Sequence, residues 1–248
     1  MKTILQFLLL LSICTFFSSC SEKDKNVIVL FDMSNSIDPK VQAFYHSVIE
    51  KEVCMNLSQF DKVTVLPIDG GSETATTELM SIDFFANRKA WDVMGKNSNE
   101  TSELKKEALE KFVHKKMEEL KAKLKDAQKD RVKVSNRTDI IGALHTSEKY
   151  LDSTKDNTII ILSDMEQFSG NVKMRPTEQA TKWLEESKGL SFTRLKFAQV
   201  HVITGEQLEM NKEYYAQIKT YWQHLLGEHL IDYGSGDLVG LRNALAAR

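Results

Sequence analysis

The chain has few of the residues that interrupt or repeat a fold, with 3 Pro and 11 Gly in 248 residues. That scarcity excludes collagen-like and mucin-like chains, and 42% apolar residues exclude a wholly disordered one. Neither sign of charge dominates: 33 Lys and Arg stand against 35 Asp and Glu, a net charge of -2. No basic field exists to draw nucleic acid, so none is expected as a partner. No Walker loop, Gly-x-Gly-x-x-Gly or Gly-x-Ser-x-Gly occurs. The six histidines (His46, His114, His145, His201, His224 and His229) show no His-x-x-x-His spacing, which argues against zinc.

Cysteine is scarce too, with three residues, Cys14, Cys20 and Cys54. Ile4 to Phe17 is a largely apolar run of fourteen residues behind Lys2. That is too short to cross the roughly 30 Å hydrocarbon core of a bilayer comfortably, and it has the form of a secretory signal. Phe17-Ser18-Ser19-Cys20 follows, then polar residues from Ser21 to Asn26. These elements resemble a bacterial lipoprotein lipobox, with Phe17 where most carry Leu or Val. The resemblance implies a signal over 1–19, acylation of Cys20, a tether over 20–26 and one domain over 27–248. It places the protein in the bacterial cell envelope, on the periplasmic face of the outer membrane or at the cell surface. Cys54, on an apolar helical stripe, is then the one thiol of the mature domain, expected to be a buried small hydrophobe.

The body alternates between two periodicities. Asn26–Phe31 is a continuous apolar run, the pattern of a strand buried on both faces; Lys62–Ile68, Asn157–Ser163 (rich in β-branched residues) and Phe197–Ile203 read as further strands. Leu79–Phe85 and Leu230–Tyr233 are shorter strand candidates. Helical spacing covers Pro39–Leu57, Thr138–Leu151, Thr177–Ser187 and Glu213–Leu226. The alternation predicts an α/β fold with a doubly wound, mostly parallel sheet and helices on both faces. Glu100–Arg131 is charged at more than half its positions, with a thin apolar stripe at Leu104, Ala108, Phe112, Met117, Leu120 and Leu124. It reads as a surface helix within an insertion over about 86–131, either a solvated face or a lid or docking arm.

The chemistry gathers where strands end. The first strand runs into Asp32-Met33-Ser34-Asn35-Ser36, and the carboxyl ends of strands are where open α/β sheets bind ligands. Thr138 precedes a helix, and Asp164 ends the third of the long strands. Capping by Ser36 or Asp38 of a helix begun at Pro39 is the local alternative. In order and spacing these residues resemble the metal-ion-dependent adhesion site of von Willebrand factor A domains. The resemblance implies that Asp32, Ser34, Ser36, Thr138 and Asp164 bind one divalent ion and that Asp139 supports Thr138 or a water. Such hard oxygen ligands suit Mg²⁺, with Mn²⁺ as the alternative. A position is left for an acidic group of a protein partner. Met165 and Glu166 follow Asp164 where many members of that family have Gly. Asp69 is expected at the same edge. A binding module with no enzymatic activity is the first expectation. The alternatives are a structural lipoprotein with a vestigial site and a metal-dependent phosphoesterase. His201, Trp183 and Trp222 are expected to be packing residues, His201 with its nitrogens satisfied.

Overall fold

The computed structural model describes residues 23–34, 36–56, 61–70, 78–83, 101–131, 137–206, 211–234, 236 and 238–246, with side chains of the long helix over 107–126. The signal region, Cys20 and Asn35 lie outside these residues.

Six strands form one sheet. They are β1 (Lys25–Asp32), β2 (Lys62–Ile68), β3 (Met80–Asp83), β4 (Asp156–Leu162), β7 (Ala198–Ile203) and β8 (Leu230–Gly234), ordered β3-β2-β1-β4-β7-β8. Only the edge pair β2–β3 is antiparallel; the other four pairings are parallel. A hairpin of β5 (Phe168–Ser169) and β6 (Val172–Lys173) stands apart from it. The fold is therefore an α/β fold with a mostly parallel sheet, and Met80–Asp83 and Leu230–Gly234 are its edges.

Both faces of β1 are covered because successive side chains of a strand point to opposite sides. Val27, Val29 and Phe31 join one core, while Ile28 and Leu30 join the other. The second core is closed by α3 (Ile140–Ser147), α4 (Ala180–Glu186) and α5 (Lys212–Leu226). Here Trp183 and Trp222 are fully buried, as packing alone requires.

The first core is closed by α1 (Pro39–Ser47), α2 (Thr101–Arg131) and α6 (Val239–Ala246). Asp38 caps α1, its Oδ1 accepting the Lys40 N–H at 2.7 Å, and Pro39 takes the first turn, where a missing N–H costs nothing. The helix then widens into a π-turn over Val48–Val53 and a 3₁₀ turn over Cys54–Asn56. The five-residue spacing lets Val48, Ile49, Val53 and Cys54 all be buried. Cys54 is the buried thiol expected, and burial pushes it up to about 12.

The long charged helix corrects the surface-helix expectation. Val113, Met117, Leu120 and Leu124 of α2 belong to the same core cluster as the inward residues of β1 and β2. Met117 and Leu120 are wholly buried. The charges sit on the remaining circumference, where Lys111–Glu107 and Lys121–Glu118 pair along the helix. Where it faces the sheet, the narrow stripe buries Met117, Leu120 and Leu124, while Ala108 and Phe112 are half-buried.

His201 departs from expectation in another way. It is buried in β7, yet neither ring nitrogen has a hydrogen-bond partner among the described residues. Burial lowers its pKa, which keeps the ring neutral.

Candidate functional site

Because β1, β4, β7 and β8 run parallel, their carboxyl ends meet at one edge, and the loops that follow them hold the polar groups. Asp32 is the last residue of β1 and is wholly buried. Its Oδ1 accepts the Ser34 N–H at 2.8 Å, and its Oδ2 accepts the Ser163 hydroxyl at 2.6 Å. Ser34 Oγ and Ser36 Oγ share a hydrogen bond of 2.8 Å, and Ser36 Oγ donates to Asp164 Oδ2 at 2.9 Å. The two seryl hydroxyls thus lead from the loop after β1 to the carboxylate after β4. Capping of α1 falls to Asp38, which leaves Ser36 to the site. Asp164 is 2% exposed, and the Glu166 N–H donates to its Oδ1 at 2.9 Å.

The electrostatics follow from burial. Desolvation holds the Asp32 carboxyl above its ordinary range, against the hydrogen bonds from Ser163 and Ser34 that favour the charge. Asp164 is pushed up to about 7, first by desolvation and then by the nearby Asp32. Asp69 is buried just beyond the end of β2 and adds to the negative field on Asp32, so it does share this edge. Among the described residues neither Asp32 nor Asp164 has a Lys or Arg ion partner. Two buried carboxylates with hydroxyl neighbours make a hard-oxygen donor set, which fits a divalent cation. Among the described residues there is no group of three or more His, Cys, Asp and Glu placed to hold a metal. A site here would therefore depend on hydroxyl oxygens.

Through its backbone, Thr138 abuts the loop that follows β4. It is 7% exposed, and its carbonyl accepts the Phe168 N–H at 2.8 Å. A Cβ on Gly70 would lie 2.9 Å from the Arg137 Cβ, so the loop before α3 presses against the turn after β2. Asp139 caps the helix that follows Thr138. Its Oδ1 accepts the Gly142 N–H at 3.1 Å as the cap of α3, and it also accepts Gln167 Nε2 at 3.2 Å.

Gln167 is the residue that the sequence did not announce. It is 1% exposed, and its Oε1 accepts the N–H groups of Ile140 (2.7 Å) and Ile141 (3.2 Å). Its Nε2 donates to Asp139 Oδ1 and to the Ser169 carbonyl. One side chain therefore stitches the loop of Thr138 to the loop of Asp164. Gln167→Ala should cost about 2–6 kcal/mol, since two buried N–H groups at the start of α3 lose their acceptor at about 1–3 kcal/mol each. Urea denaturation measures this, and a change under about 0.5 kcal/mol would show that water replaces the amide freely.

The departure at Met165 also has a structural account. Met165 has φ 67°, the left-handed region that Gly enters without strain. Met is held there by complete burial, by the hydrogen bond from its N–H to Ser163 Oγ (2.9 Å) and by Trp222 Nε1 donating to its carbonyl (2.8 Å). Tyr214, from the same helix α5, donates its hydroxyl to Glu166 Oε1 at 2.7 Å. The loop carrying Asp164 is thus clamped from α5 on one side and by Gln167 on the other.

No family model and no curated protein sequence matches this chain. Among solved structures it is similar to the crystal structure of the TFIIH p34 N-terminal domain, at 10% identity over 91% of this chain and 97% of that one, with a TM-score of 0.41.

Proposed function

We propose that this chain is a lipid-anchored envelope module that engages an acidic group of a protein partner through Mg²⁺ held by Asp32, Ser34, Ser36, Thr138 and Asp164. The observation that carries the reading is the pair of buried carboxylates, Asp32 and Asp164, bridged by serine hydroxyls with no cationic side chain paired to either among the described residues. A buried carboxylate without a counter-charge is costly, and a bound cation removes that cost. The partner's acidic group and the acylation of Cys20 rest on the resemblances in the sequence. Among the described residues no helix is long and apolar enough to cross a membrane, so the acyl group is the attachment proposed.

When bound, the ion would supply a positive centre with a coordination position for an incoming carboxylate. The chain's own contribution is to place Asp32 at the strand end, to set Ser34 and Ser36 in the loop after it, and to hold Asp164 rigid through Met165 and Glu166. The phosphoesterase alternative has less support, because no His-rich or paired-metal ligand set accompanies the two carboxylates among the described residues.

Isothermal titration with Mg²⁺ and Mn²⁺ tests the ligand set. Ser34→Ala and Thr138→Ala should weaken binding alike. Each should lose at least about the 10–100-fold that follows removal of an outer-shell partner. These positions are about a hundred residues apart in sequence, so no shared local role produces equal losses. Affinity unchanged in both variants would overturn the assignment.

A further inference from the structure

Two contacts fix the course of α6 across the first face of the sheet. At its start, a Cβ on Gly240 would lie 2.8 Å from Asp232 Oδ2, so the first turn of the helix lies on β8. At its end, the carbonyls of Ala244 (3.2 Å) and Leu245 accept Lys25 Nζ from β1. The strands run in the order β1-β4-β7-β8, so a helix that touches both β8 and β1 passes over β7 and β4. Leu238, Leu241 and Leu245 join the first core along this path.

Beneath it lies His201. In register it pairs with Asp232 of β8 and with Ile160 of β4, and paired residues put their side chains on one face. Ile160 belongs to the first core, so His201 is on the face that α6 covers. Most buried polar groups are hydrogen-bonded. His201 is 1% exposed, with both ring nitrogens unpartnered among the described residues. The charged groups on the elements around it are few. The guanidinium of Arg242, on α6, is held by the Glu52 carboxylate of the π-turn at 2.7 Å. Lys25 is engaged at the far end of the helix, and β4 presents Ile160. Asp232 remains, and its carboxylate lies against the first turn of α6, where the helix dipole favours a negative charge.

We infer that α6 is an acid-released latch: a proton on His201 draws the Asp232 carboxylate away from the first turn of the helix and loosens α6 from β7 and β8. Neither the metal site nor the acyl group enters this inference. An imidazolium is costly to bury without a partner, and the counter-charge paired with it in register is Asp232. That carboxylate serves the helix at neutral pH and the imidazolium in acid. Burial lowers the His201 pKa. The stability of the docked helix is therefore fully present above the ordinary imidazole value of 6.5 and is lost as pH falls below it.

Amide hydrogen exchange of the full-length chain in EDTA, at pH 7.5 and pH 5, tests this once rates are corrected for the intrinsic effect of pH. Protection over 238–246 should fall by up to about thirtyfold in acid, the ratio set by an open-state imidazole with a pKa of 6.5. Protection over 27–31 should change much less. His201→Phe and His201→Gln both remove the titrating ring and should abolish the fall. Phe suits the apolar surroundings and Gln keeps a polar group, so either variant serves if the other does not fold. Asp232→Asn should show a smaller fall than the wild type. His46→Gln should keep the full one, although burial also lowers the pKa of that half-buried histidine of α1. Protection over 238–246 that changes less than about twofold between the two pH values would overturn the inference. So would a fall that persists in both His201 variants, or one shared equally by 27–31, which would be unfolding of the whole domain.

Discussion

A chain in which a short loop replaces α2 is expected to lose its cooperative unfolding transition. The helix is written in charges, yet Val113, Met117, Leu120 and Leu124 are each at most 6% exposed within the first core. Truncating one buried Leu or Met to Ala costs about 2–5 kcal/mol, and a whole domain is stable by only about 5–15 kcal/mol. Removing four such residues together consumes most or all of that margin. It also uncovers Met80, Ile82, Val53 and Cys54 in the same cluster. The change in loop-closure entropy is small beside this, at about 0.6 kcal/mol per doubling of loop length. Circular dichroism in a urea titration measures the outcome, and Leu120→Ala alone should cost about 2–5 kcal/mol. A replacement chain that melted cooperatively near the wild-type temperature would show that α2 is an appendage.

Mg²⁺ at a hundredfold excess over its dissociation constant should stabilise the wild type by about 2.7 kcal/mol, and Asp32→Asn should remove that stabilisation. The variant loses one of two anionic groups that balance the ion, while an amide oxygen can still accept the Ser34 N–H. Without metal the order reverses. Asp32 is wholly buried and lies near Asp164, so Asp32→Asn should be the more stable protein by relieving a buried charge. The same burial sets a pH dependence for the metal-free wild type. Asp164 has its pKa raised from 3.8 to about 7. The stability from its protonated form is present below pH 3.8 and is lost as pH rises toward 7. Differential scanning fluorimetry at pH 5 and pH 7.5, with Mg²⁺ or EDTA, measures all of these. A Mg²⁺-induced rise in Tm that persisted in Asp32→Asn would place the ion elsewhere.

The composition and periodicity alone determined that this is an α/β domain with a parallel core. Five apolar residues in succession, Val27 to Phe31, bury themselves only in a strand with layers on both sides, and β1 is such a strand. The shorter runs Leu79–Phe85 and Leu230–Tyr233 were legible as strand candidates, and the sheet places Met80–Asp83 and Leu230–Gly234 at its two edges. Asp32, Ser34, Ser36 and Asp164 were legible because strand ends in a parallel sheet must share an edge, so residues 128 apart can meet across one hydrogen bond. Other features depended on contacts that no periodicity encodes. The apolar stripe of α2 is thin, and only the sheet beneath it decided that Met117 and Leu120 are core. The cap that Asp139 makes on α3 is one of these, since only the folded loop brings its Oδ1 to the N–H of Gly142. Gln167 carries no motif, because its work exists only once the loops at 137–142 and 163–169 lie side by side. Met165 stood out as a departure from glycine, and the tertiary structure supplied the reason it is tolerated: Trp222 and Ser163 hold a left-handed backbone that the side chain's burial secures.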